Sequence, residues 1–76
     1  MKKYRMYVQP FEEFDKRKCV YETEDYYWLL ENMNDIAYKV YEEQFKNSGI
    51  QIVDFSLVEV YEDGSENYFK VVYIEA

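Results

Sequence analysis

The chain's 76 residues make one domain, residues 1–76, and neither disulfides nor structural zinc can reinforce it, because it has one cysteine, Cys19, and no histidine. Ten Tyr, five Phe and one Trp must supply the buried area instead, about 150–250 Å² apiece when fully packed. A net charge of −7 opposes direct binding to nucleic acid, and no apolar run reaches the roughly 18–20 residues of a bilayer span.

Lys3 to Gln9 alternates, with Tyr4, Met6 and Val8 on one side and Lys3, Arg5, Tyr7 and Gln9 on the other. That pattern predicts a half-buried strand, stopped or moved to a sheet edge by Pro10. A charged stretch turns near Asp15-Lys16, and a short strand over Lys18 to Glu22 follows it. Thr23 then reads as a helix N-cap, with Glu24 and Asp25 in the first turn where they suit the helix dipole. From Glu24 to Lys46 apolar residues recur at helical spacing, through Tyr26, Leu30, Met33, Ala37, Val40, Tyr41 and Phe45, and Gly49 supplies the stop.

Two further strands, Ile50 to Tyr61 and Glu66 to Glu75, meet at Asp63-Gly64, a strong hairpin signal. A two-residue type I′ turn would pair Leu57 with Lys70 and Asp54 with Tyr73, mixing polar and apolar side chains. A type I turn with Gly64 in a bulge pairs Val53 with Tyr73, Phe55 with Val71 and Leu57 with Phe69, and gives one wholly apolar face. The second register is the better fit. It places Phe55, Leu57, Phe69 and Val71 beneath Leu30, Met33, Ala37 and Val40. The expected fold is α+β: an antiparallel sheet of three to four strands, ββαββ or βαββ, with one long helix across one face.

Catalytic machinery is missing from the residue inventory. Without histidine there is no Ser-His-Asp or Cys-His arrangement, and both glycines, Gly49 and Gly64, have turn duties, so no phosphate-cradling loop exists. Cys19 follows Lys16-Arg17-Lys18, which would lower a thiol pKa if close in space, but a small, half-buried strand residue is the plainer reading. The acidic pairs Glu12-Glu13, Glu24-Asp25, Glu42-Glu43 and Glu62-Asp63 fall in turns or on solvated faces. The expectation is a non-enzyme with no metal and no cofactor.

Charge is unevenly placed. Residues 1–20 carry six Lys/Arg and three Asp/Glu, whereas the remainder carries three and thirteen. On the helix, Glu24, Glu31, Asp35 and Glu42 fall in one stripe opposite the apolar face, flanked by Trp28 and Tyr38. Carboxylates one turn apart sit about 6 Å from each other, a spacing close to that of phosphates along a nucleic-acid strand. Exposed aromatics beside charges have the make-up of binding hot spots. The competing reading is an ordinary solvated helix face, with Trp28 covered by the N-terminal segment.

These features put an acidic protein-binding module first, with Glu24, Trp28, Glu31, Asp35, Tyr38 and Glu42 contacting a basic, nucleic-acid-binding site on a partner protein. In character, though through no shared motif, the chain resembles the small acidic anti-restriction and anti-CRISPR inhibitors of phages and mobile elements. Its abundance of residues with AT-rich codons (Phe, Tyr, Met, Ile, Asn and Lys) over Gly, Ala, Arg and Pro suits an AT-rich genome. The lone cysteine and the lack of an apolar stretch after the basic start point to the cytoplasm. A homodimer burying a mixed sheet face of Ile52, Val58, Val60, Tyr68, Val72 and Ile74 is the alternative. Direct nucleic-acid binding by Lys2, Lys3, Arg5, Lys16, Arg17 and Lys18 ranks third.

Overall fold

In the computed structural model, which describes residues 2–75, the chain runs β1 (Lys3–Pro10), β2 (Lys18–Thr23), helix α1 (Tyr26–Val40), β3 (Ile52–Val60) and β4 (Glu66–Glu75). The strands form one antiparallel sheet in the order β2-β1-β3-β4. The fold is the expected α+β, with the ββαββ element order.

Pro10 ends β1 without moving it to an edge, for β1 lies at the centre between β2 and β3. The β1–β2 ladder stops at Val8 opposite Lys18, so the backbone N–H that proline lacks falls beyond it. The carbonyl of Pro10 instead accepts the Glu13 N–H at 3.0 Å as the chain turns.

The helix begins later than its sequence suggests. Asp25, not Thr23, is the N-cap, its Oδ1 accepting the Trp28 N–H at 2.9 Å. Thr23 is the last residue of β2, and its hydroxyl receives the Asp25 N–H at 3.0 Å. Glu24 consequently precedes the helix. Beyond Val40 the helix continues through Tyr41–Phe45 as a wider turn, the Lys46 N–H reaching back to the Tyr41 carbonyl at 2.9 Å. Gly49, at φ +83°, then turns the chain toward β3.

Leu29, Met33, Ala37 and Val40 are the buried helix residues, on Met6, Val8, Val53, Phe55, Leu57 and Ile74 from the sheet. Leu30, expected at the centre, lies half-buried on the flank. Leu29 fits the same periodicity one turn before Met33 and is 0% exposed.

The β3–β4 hairpin contains both registers weighed from the sequence. At the turn, the Gly64 N–H bonds the Tyr61 carbonyl at 2.9 Å with Gly64 at φ +87°, the expected type I turn with a glycine bulge. Val58 accordingly faces Tyr68 and Val60 faces Glu66. A second bulge at Phe69 then shifts the ladder by one, so Leu57 pairs with Lys70, Phe55 with Val72 and Val53 with Ile74. The expected pairings of Val53, Phe55 and Leu57 are therefore wrong by one residue. Phe69, Val72 and Ile74 pack on the helix side, while Val71, expected there, is 44% exposed.

This shift also dismantles the mixed face proposed for a dimer. Val72 and Ile74 belong to the helix-side core, and Val58 and Val60 are buried with Tyr7 in a separate small cluster. Of that set, Tyr68 is exposed and Ile52 half-buried.

Leu29→Ala should destabilise the fold by about 2–5 kcal/mol, a large share of the roughly 5–15 kcal/mol typical of a domain. Leu30→Ala, at a site already in partial contact with water, should cost clearly less. Urea denaturation followed by circular dichroism measures both, and equal losses would contradict the observed helix phase.

Candidate functional site

The sequence-predicted residues are all exposed, but they do not form one continuous helix stripe. Glu31 and Asp35 lie on the outer face of α1, and neither has an ion-pair partner among the described residues. Glu42 sits in the wide turn and receives Lys46 Nζ at 3.3 Å. Tyr38 projects into solvent between them. Trp28 is covered on one side by Tyr21 of β2, the rings stacked at 4.9 Å and 20°, and open on the other. The covering ring comes from the second strand. Glu24 stands apart, before the helix begins.

Most of the basic N-terminal segment is engaged by the protein's own carboxylates. Lys2 pairs with Glu59 at 3.4 Å, Lys3 with Glu22 at 3.7 Å and Lys16 with Glu13 at 2.9 Å. Arg5 lies between Glu22 at 3.5 Å and Glu66 at 3.8 Å. Exposed pairs of this kind add little stability, but they reduce the positive field available to a polyanion.

On the sheet face turned away from the helix, Arg17 builds a compact network near the hairpin turn. Its guanidinium lies 3.8 Å from the centre of the Tyr7 ring, donates to Glu66 Oε1 at 2.9 Å, and bonds the Tyr68 hydroxyl. Tyr7 Oη donates to the other oxygen of Glu66 and accepts from Arg5 Nη1 at 3.2 Å. The Tyr7 bond, reinforced by Arg17 and Arg5, holds the Glu66 carboxyl below its ordinary pKa. Burial, together with the bond to Glu66, pushes the Tyr7 phenol up.

The other end of this face has similar ingredients, but among the described residues no cation pairs with its carboxylate. Asp54, opposite Gln9 on β1 and Tyr73 on β4, is 9% exposed. Gln9 Nε2 donates to its Oδ2 at 3.4 Å, a long bond, while Oδ1 is buried with no partner. Phe11 and Tyr73, centres 6.0 Å apart and edge to face, reach toward each other across β3. Burial raises the Asp54 pKa, Gln9 opposes the shift, and the nearby charge of Glu12 adds to it. The sequence shows one sign of this site: a carboxylate inside an otherwise strand-like apolar run.

An open cleft of about 430 Å³ separates β2 from the second half of the helix. Lys18, Cys19, Ile36, Lys39 and Glu43 are among its walls. The Cys19 thiol is exposed there, not half-buried as its strand position suggested, and lies 3.5 Å from the Tyr21 carbonyl. Among the described residues no three His, Cys, Asp or Glu side chains are grouped to hold a metal ion. Among the described residues no helix is long and apolar enough to cross a membrane.

The buried carboxyl predicts a distinct pH signature. Because the folded-state pKa of Asp54 is raised, its favourable contribution is complete below the ordinary value of 3.8 and is lost as pH climbs through the folded value. Asp54→Asn should therefore be more stable than the wild type at pH 7, with the advantage disappearing below about pH 4. Urea midpoints for both proteins across that range test it. A variant less stable than wild type at pH 7 would contradict the uncompensated burial of this carboxyl.

No protein family, curated protein or solved structure matches the chain.

Proposed function

We propose that the chain is a small non-enzymatic binding module whose acidic helix face occupies a basic, nucleic-acid-binding site on a partner protein. The observation carrying this reading is the separation of charge on the surface. Glu31 and Asp35 stand exposed with no ion-pair partner among the described residues, whereas five of the six N-terminal bases are engaged by internal carboxylates. A face so arranged presents negative charge about 6 Å apart beside the apolar surfaces of Trp28 and Tyr38. Cations on the partner would relieve the repulsion between neighbouring carboxylates and steer association. Glu42 contributes at the far end, after exchanging Lys46 for a partner base. An inhibitor of this design competes with nucleic acid for its target, and a phage or mobile element is a fitting origin.

Capture from a bacterial lysate at low salt, followed by surface plasmon resonance against the captured protein, tests the reading. Glu31→Lys, Asp35→Lys and Glu42→Lys should each weaken binding about tenfold, a loss of about 1.4 kcal/mol, mainly by slowing association. Rising salt should weaken the wild type most. Trp28→Ala should speed dissociation with little salt dependence. The captured protein should also lose its affinity for nucleic acid when bound. A folded triple reversal with unaltered affinity, or a partner that still binds nucleic acid in the complex, would overturn the proposal.

A further inference from the structure

The two ends of the open sheet face differ in one respect. Near the hairpin turn, a carboxylate (Glu66) and two tyrosines (Tyr7 and Tyr68) surround a guanidinium supplied by the chain itself. At the other end, Asp54 and the ring pair of Phe11 and Tyr73 repeat the carboxylate and the aromatics, with Gln9 donating to Asp54. The charges acting on Asp54 are of its own sign, from Glu12, and Arg17 is engaged with Glu66.

We propose that this end of the face receives an arginine side chain of a partner protein, its guanidinium bonding Asp54 Oδ1 and stacking on the Phe11–Tyr73 ring pair. The site lies opposite the helix and does not depend on the function proposed for the helix face.

A buried carboxylate oxygen with no partner is costly, and a guanidinium satisfies it with charge-assisted hydrogen bonds. Arginine fits better than lysine because its planar group stacks on aromatic faces while donating in its own plane. A metal ion would need several oxygen ligands, and no such group is assembled among the described residues. Because Oδ1 is covered, the guanidinium enters by parting the two rings and lying between them. Phe11 lies just past the end of β1 and is already 44% exposed, so little packing opposes that movement.

The test is a titration of the ¹⁵N-labelled protein with N-acetyl-arginine amide at pH 7 and low salt, followed by NMR. Amide signals of Gln9, Phe11, Asp54 and Tyr73 should shift saturably, with a Kd on the order of millimolar for so small a probe. The lysine analogue should bind several-fold more weakly, and the neutral citrulline analogue should produce no saturable shift. Free L-arginine, whose carboxylate would meet Glu12, should also bind more weakly than the blocked amide, as expected for a site built for a protein side chain. Asp54→Asn should lose at least about tenfold in affinity, the scale of one charged hydrogen bond. Tyr73→Leu, which leaves the carboxylate in place, should lose several-fold and guards against misfolding of the first variant. The Glu31→Lys, Asp35→Lys, Glu42→Lys triple variant should bind the probe as the wild type does, separating this site from the helix face. Absence of saturable shifts, equal binding by the citrulline analogue, or full affinity in a folded Asp54→Asn variant would each overturn the proposal.

Discussion

A sheet with two faces and, among the described residues, a single long helix set the central constraint on this molecule. The helix covers one face with Leu29, Met33, Ala37 and Val40, and nothing of comparable size remains for the other. The second face is protected by side chains alone. Arg17 spans it from the start of β2 to Glu66 and Tyr68 on β4, shielding Tyr7 beneath its guanidinium and joining the two edge strands. Long cationic side chains can serve as cover because their stems are apolar and their heads can be satisfied at a distance. That cover reaches only part of the face. Beyond it lie Asp54, Val71 and Tyr73, where burial of a carboxylate coexists with exposure of apolar surface.

Both edge strands carry a bulge, and the two central strands pair without one. β1 and β3 keep a single register from Lys3 opposite Val60 to Pro10 opposite Val53. β2 gains its extra residue at Val20 and β4 at Phe69. Each bulge inverts the alternation of side chains beyond it and adds local twist. On β2 it lets both Val20 and Tyr21 pack toward the core, and on β4 it brings Phe69, Val72 and Ile74 to the helix side.

The sequence revealed the elements more reliably than their phase. Alternation in Lys3 to Gln9, the helical spacing after Asp25 and the Asp63-Gly64 turn are local signals, and each corresponds to an observed element. The bulge at Phe69 is not marked by a glycine, and it follows from packing that brings Phe69 against Tyr4 and Tyr26. Leu29 and Leu30 are adjacent, equally apolar and each within one turn of Met33, so the choice between them rests on how the helix is rotated against the sheet. The exposed helix residues could be read because amphipathic spacing separates faces. The Arg17 network and the Asp54 site could not, because they join residues from distant strands and follow from register and sheet order.

The stacked pair of Trp28 and Tyr21 places the chain's single tryptophan at the junction between the helix and the second strand. Indole emission depends on how much water surrounds the ring, so fluorescence from this protein reports the helix seating on the sheet edge. A partner gripping the outer helix face would dry the exposed side of the same ring. Folding, and any such docking, would be readable from a single intrinsic chromophore, without a label, as opposite sides of one indole leave water.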